Sequence, residues 1–164
     1  MDYLKLLQSK IISDENLNAL LTYWRLKDEK IVFTNGCFDL LHRGHVEYLA
    51  QAASLGSILI VGLNSDQSVR SIKGDQRPVQ DEYSRALLTA SLRFVTGVKL
   101  FDEDTPYELI RRIEPDVLVK GGDYKEEDIV GGDVVRSHGG DIVTIEFKEG
   151  YSTSGIIDKI RHLQ

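Results

Sequence analysis

The run Ile58–Leu63, ILIVGL, is the tightest constraint this sequence places on its own fold. It carries no charge and no polar alternation, so it does not read as a strand with one wet face, and it is too short for a buried helix. What remains is a strand covered on both sides. Such strands belong to parallel sheets with helices packed above and below.

The flanking sequence supplies the rest of that sheet. Ile31–Thr34 is a β-favouring run ahead of Gly36, Val95–Phe101 reads as a third strand, Val117–Val119 as a short buried fourth and Ile142–Phe147 as a fifth. Helical signals fall between them. One helix follows the first strand to about Ser54 and stops at Gly56; another spans about Asp81–Arg93; a third starts at Thr105–Pro106 and ends near Ile113, before Pro115. A short helical segment around Asp133–Ser137 ends at Gly139 and Gly140, and a last helix covers Gly155–His162. The pattern predicts a single Rossmann-like α/β domain over residues 31–164, with a mainly parallel five-stranded sheet and helices on both faces. Residues 1–30 read as a helical prelude packing on the core: Ser13 caps a helix that carries Leu17, Leu20, Leu21 and Trp24 on one side. The polar stretch Gln67–Gln80, with turn formers Gly74, Asp75 and Pro78 among the cations Arg70, Lys73 and Arg77, reads as a mobile loop.

Composition narrows the partners. A chain of 164 residues supports one substantial core. Its net charge of −6 argues against non-specific binding to nucleic acid or to an anionic membrane, since both demand a basic surface. No apolar run approaches the ~20 residues needed to span a bilayer, and the N-terminus lacks a secretory pattern. The single cysteine, Cys37, excludes an intrachain disulfide. These features point to a soluble, cytoplasmic protein.

In such a fold, ligands bind beyond the carboxyl ends of the strands, and the richest loop there is Asn35-Gly36-Cys37-Phe38-Asp39-Leu40-Leu41-His42-Arg43-Gly44-His45. It contains neither GxGxxG nor GxxxxGK[ST], so neither a usual dinucleotide fold nor a P-loop is supported. His42 and His45, three apart, share one side of the first turn of the following helix, where free N–H groups and the positive end of the dipole favour phosphate. Two other readings stay open on the residues alone. The pair resembles half of a zinc site without third and fourth ligands, or two histidines that merely cap a helix. Cys37 has no base partner and reads as a packing residue.

The run GCFDLLHRGH contains HxGH and resembles the signature of the cytidylyltransferase-like nucleotidyltransferase superfamily. With it stand Gly62-Leu63-Asn64-Ser65-Asp66, Lys73-Gly74 with Arg77-Pro78, Phe101-Asp102-Glu103-Asp104-Thr105-Pro106, Lys120-Gly121-Gly122-Asp123-Tyr124 and Gly150-Tyr151-Ser152-Thr153-Ser154. That set, in that order, is most similar to the D-glycero-β-D-manno-heptose 1-phosphate adenylyltransferases, which make ADP-heptose for lipopolysaccharide or surface-layer glycans. The resemblance implies transfer of AMP from ATP to a sugar 1-phosphate, with Mg²⁺ carried mainly by the nucleotide phosphates and no metal ligands from the protein. It implies that His42, His45 and Lys73 are catalytic. Thr34, Asn35, Gly36, Phe38, Asn64, Lys120, Gly122, Asp123, Tyr124, Ser152, Thr153 and Ser154 would hold the nucleotide, and Asp39, Asp66, Arg77 and Arg85 the acceptor. The family pattern commonly has two threonines where this chain has Thr153-Ser154. Relatives form homo-oligomers and occur fused behind a sugar kinase; this chain resembles the stand-alone transferase, served by a separate kinase. The alternatives are a cytidylyltransferase acting on glycerol 3-phosphate or another small phosphate, and a non-catalytic nucleotide-binding module.

Overall fold

In the computed structural model, which describes residues 1–122, 129–146 and 150–163, strands β1 (Ile31–Gly36), β2 (Ile58–Asn64), β3 (Gly97–Phe101), β4 (Val117–Gly121) and β5 (Asp141–Ile145) form one sheet. Every pairing is parallel, and the order is β3-β2-β1-β4-β5. The expected architecture is thus borne out. Every residue of β2 is buried, as its apolar run requires. Ile58 and Ile60 join a core with Leu17, Leu21, Trp24, Ile110 and Ile113, whereas Leu59, Val61 and Leu63 join a second core with Leu49, Ala52, Ala86 and Ala90. Helices α2 (Asp14–Leu26), α6 (Tyr107–Ile113) and α7 (Gly132–Ser137) supply the first layer, and α3 (Arg43–Ala53) and α5 (Glu82–Ser91) the second. Each fully buried Leu or Ile contributes about 1.5–3 kcal/mol. A one-residue slip of β2 would exchange its two faces, so the two cores together fix its register.

The order of strands sets where a ligand can enter. β1 pairs with β2 from Ile31 to Gly36, but with β4 only at Val32 and Phe33. Beyond Phe33 the carboxyl ends of β1 and β4 separate. This is the point where the strand order reverses, and the crevice opens there.

Residues ahead of β1 form two helices, α1 (Tyr3–Gln8) and α2, joined by a segment that runs along β3. Ile12 N–H donates to the Val98 carbonyl and Val98 N–H to the Lys10 carbonyl, both at 2.8 Å, so the outer edge of β3 is covered. The loop expected over Gln67–Gln80 is in its first half a helix, α4 (Asp66–Lys73), with the Ser65 hydroxyl accepting from Ser68 N–H at 3.2 Å. Only Ser68 and Val69 of that helix are buried, so its sequence lacks the apolar stripe that announces a helix. Its second half is anchored, as described below. The third strand starts at Gly97 rather than Val95, and the Phe147 expected in the fifth lies outside the described residues. The last helix, α8 (Thr153–Arg161), begins two residues earlier than its sequence predicts because Ser152 caps it.

Candidate active site

The crevice at the end of β1 and β4 is a cleft of about 460 Å³. Its floor is Asn35, Gly36 and Cys37 from the end of β1 and Lys120 and Gly121 from the end of β4. Phe38, Asp39, His45 and Tyr48 enter from the turn into α3 and from the helix itself. Asn64, Ile72, Lys73 and Arg77 come from the β2 end, α4 and the segment after it, Asp104, Thr105 and Pro106 from the β3–α6 loop, and Val130 and Thr153 from near α7 and α8.

The turn into α3 has a specific build. Phe38 adopts a left-handed backbone with φ of 42°, a conformation that costs a non-glycine residue roughly 1–2 kcal/mol. It brings the ring back over Gly36, where a Cβ would lie 3.0 Å from Phe38 Cε2. His42 is the N-cap of α3; its Nδ1 accepts from His45 N–H at 3.4 Å. The rings of His42 and His45 stack with centroids 3.7 Å apart and 15° between planes, and Phe38 packs edge-on to His45 at 5.2 Å. The glycine between them has a steric reason: a Cβ on Gly44 would come within 3.2 Å of both the His42 ring and Tyr151 Cβ. His45 faces the cleft, whereas His42 supports it from behind.

Both imidazoles of this corner are held toward the neutral form. Burial, reinforced by the neighbouring His42, pushes the His45 imidazole down to about 4, and burial also lowers His42. Protonating both stacked rings would place two charges in contact. His45 Nδ1 is buried, and the ring is held by its stacking on His42 and its edge contact with Phe38. Lys120 is also buried; its ammonium donates to Asn35 Oδ1 across the splayed strand ends, and burial brings it down to about 8. The Cys37 thiol is pushed up by burial, against the pull of Lys73, Arg85 and Arg77, which opposes a thiolate nucleophile.

Two carboxylates expected to meet the acceptor are engaged within the protein. Asp39, 1% exposed, accepts from Val79 N–H at 2.8 Å, Gln80 N–H at 3.0 Å and Arg77 Nε at 2.6 Å. Burial pushes its carboxyl up, but the two N–H groups and the guanidinium outweigh that and hold it below the usual carboxylate range. These bonds tie the segment after α4 to the first turn. Asp66 accepts from Arg85 Nη2 at 2.7 Å and does not line the cleft.

Arg85, expected to meet the acceptor, points into the protein. It is wholly buried, and its guanidinium donates to the carbonyls of Gln80 at 3.0 Å, Cys37 at 2.7 Å and Asn64 at 2.8 Å besides Asp66. It joins the ends of β1 and β2, α4 and the following segment beneath the cleft, and it is not among the residues that line it. Thr34 is likewise buried, with its hydroxyl 2.7 Å from the Tyr48 hydroxyl, so Tyr48 rather than Thr34 borders the cleft. In sequence an arginine or threonine beside a loop looks the same whether it faces ligand or core.

The remaining residues divide. Asn35, Gly36, Phe38, Asn64, Lys73, Arg77, Lys120 and Thr153 line the cleft with His45. The Ser152 hydroxyl accepts from Gly155 N–H at 3.0 Å as the cap of α8, and Ser154 is exposed off the cleft wall. Gly122 lies just beyond the lining, its N–H bonded to the Ile145 carbonyl at 2.9 Å. Asp123 and Tyr124 lie outside the described residues. Sequence reasoning gave no role to Tyr48, Ile72, Asp104, Thr105 or Val130. For Asp104 and Thr105 a signal existed, because they follow a strand at its carboxyl end.

Among the described residues no three His, Cys, Asp or Glu side chains converge as a metal site. No helix is long and apolar enough to cross a membrane.

A parallel sheet of this order, with a helix N-terminus and cations gathered at its switch point, defines a Rossmann-like protein of the nucleotide-binding class. More specifically, the chain belongs to the cytidylyltransferase-like family, whose model matches residues 33–159. It is 53% identical over 94% of its length to the bifunctional protein HldE of Wolinella succinogenes, and equally so to that of Campylobacter jejuni subsp. doylei. The chain spans about a third, 32%, of the length of these relatives. Among solved structures, a lipopolysaccharide core biosynthesis protein from Thermoplasma volcanium superposes with a TM-score of 0.62 at 26% identity, covering 76% of this chain and 99% of that one. A pantoate-beta-alanine ligase from Francisella tularensis superposes with a TM-score of 0.60 at 17% identity over 88% of this chain and 69% of its own, a likeness of fold.

Proposed function

We propose that this chain transfers AMP from ATP to a heptose 1-phosphate, giving ADP-heptose and pyrophosphate. The observation that carries the reading is the stacked His42–His45 pair at the N-terminus of α3, of which His45 faces a cleft that Lys73, Arg77 and Lys120 also line. The similarity to bifunctional HldE proteins and to a lipopolysaccharide core biosynthesis protein supports the choice of acceptor, alongside the motif set.

The acceptor needs no protein base, because a sugar 1-phosphate near neutral pH is largely a dianion. One of its oxygens attacks the α-phosphorus of ATP in line, the bond to the bridging oxygen breaks, and pyrophosphate leaves with that electron pair. The protein's tasks are to hold two repelling anions together and to offset charge as it develops. His45, with a pKa near 4, serves as a hydrogen-bonding imidazole and not as a resident cation. Free N–H groups at the start of α3 and α8 would take phosphate oxygens, and Lys120 the charge between them. Among the described residues Asp39 is fully engaged within the protein and no three-ligand cluster forms. Mg²⁺ would enter with the triphosphate substrate as its counter-ion.

A sugar kinase activity would supply the acceptor, and the reaction is assigned to the cytoplasm, where ATP is made available to it. The test is pyrophosphate release by the purified chain with Mg²⁺, offering ATP or CTP with heptose 1-phosphate or glycerol 3-phosphate. ATP with heptose 1-phosphate should be turned over best. Preference for CTP with glycerol 3-phosphate would replace this reading with the cytidylyltransferase one, and nucleotide binding without release across the panel would mark a non-catalytic module.

A further inference from the structure

We infer that Asp104, in the loop between β3 and α6, selects a polyhydroxylated acceptor: its carboxylate takes hydrogen bonds from sugar hydroxyls while Lys73 and Arg77 attract the acceptor's phosphate. The inference rests on the nucleotidyl-transfer reading and names the part of the cleft that reads the sugar.

The cleft gathers groups that favour phosphate, yet Asp104 stands on its wall with Lys73, Arg77 and Thr105. A carboxylate beside two bound anions weakens phosphate binding by like-charge repulsion. What it can serve on the acceptor is a neutral donor, and the acceptor's neutral donors are its hydroxyls. Among the described residues, the two acids expected to meet the acceptor, Asp39 and Asp66, are engaged within the protein. Asp39 is buried with both oxygens engaged by Arg77, Val79 and Gln80, and Asp66 pairs with Arg85 off the wall. Asp104 has one hydrogen bond among the described residues, from Ser71 Oγ to Oδ1 at 3.1 Å. That bond orients the carboxylate and leaves Oδ2 and a lone pair of Oδ1 to accept. The loop is held from below as well, because Ser68 Oγ donates to the Glu103 carbonyl at 3.1 Å. An oriented acceptor on a pinned loop is what hydroxyl selection requires. Thr105 adds a hydroxyl that can donate or accept beside it.

The experiment compares wild type, Asp104→Ala and Asp104→Asn in pyrophosphate release at saturating ATP and Mg²⁺, with heptose 1-phosphate varied and methyl phosphate as a competitive inhibitor. The side chain is exposed, so folding should be intact, and thermal unfolding checks it. Asp104→Ala should raise the KM for heptose 1-phosphate roughly ten- to a hundredfold, the usual loss for a hydrogen bond to a charged group. The KM for ATP should hold, and the Ki of methyl phosphate should stay level or fall as repulsion is removed. Asp104→Asn, which keeps an acceptor oxygen without the charge, should lose less. An unchanged acceptor KM with an active wild type overturns this inference and leaves nucleotidyl transfer standing. A rise in ATP KM or in Mg²⁺ requirement overturns it too, by placing Asp104 at the nucleotide. A wild type inactive with every sugar 1-phosphate overturns both.

Discussion

The two walls of the cleft are made of different material. Around His45 and Lys120 the groups are mostly buried, stacked or bonded to one another, and held toward their neutral forms. Lys73 and Asp104, which line the same cleft, stand exposed at the end of a helix and on a loop. Where charge develops during reaction, groups fixed in a dry corner act without reorganising, and salt hardly screens them. Where a variable acceptor must be drawn in and recognised, exposed charges suffice, at the cost of screening.

The sharpest way to break this contrast is His45→Ala. Turnover should fall by about two to three orders of magnitude, the usual loss for one transition-state donor, while the KM for ATP changes little. The loss should be the same at low and high ionic strength. Lys73→Ala should act differently, with about a tenfold fall in kcat/KM carried mainly by the acceptor and shrinking as salt is added. Steady-state kinetics at two salt concentrations separates the two variants, and equal salt dependence would erase the distinction between the walls.

A smaller effect follows from Lys120. Its pKa of about 8 in the folded protein lies below the ordinary lysine value of 10.5, so the unfolded chain binds more protons between those values. Folding stability should therefore rise with pH from about 8 to about 10.5 on this residue's account. ATP affinity should change in the opposite sense and weaken above pH 8 as the ammonium loses its proton. Urea unfolding and nucleotide titration against pH, with Lys120→Met as the flat control, read both signs.

Much of this fold was legible because it rests on apolar runs. Ile58–Leu63 forced a doubly covered strand, and the alternation of elements around it led to the parallel sheet. Helix α4 was not, since Ser68 and Val69 alone are buried and its three neighbouring cations resemble a loop. At the site, spacing was informative where the backbone carries the geometry: His42, Gly44 and His45 stack because a helix turn and an absent Cβ allow it. It was uninformative where direction decides. Arg85 and Asp39 looked like ligand contacts, and long-range bonds to Cys37, Asn64, Val79 and Gln80 turned them inward. Those partners come together only after β1, β2 and α5 have packed.

The central claim is that the histidine pair stabilises charge while the acceptor's own phosphate attacks. Stereochemistry at the α-phosphorus tests it most directly, using ATP made chiral there by sulfur substitution and the product ADP-heptose analysed by phosphorus NMR. A single in-line displacement predicts inversion of configuration. Retention would mean two displacements through a nucleotidyl-histidine and would contradict the account.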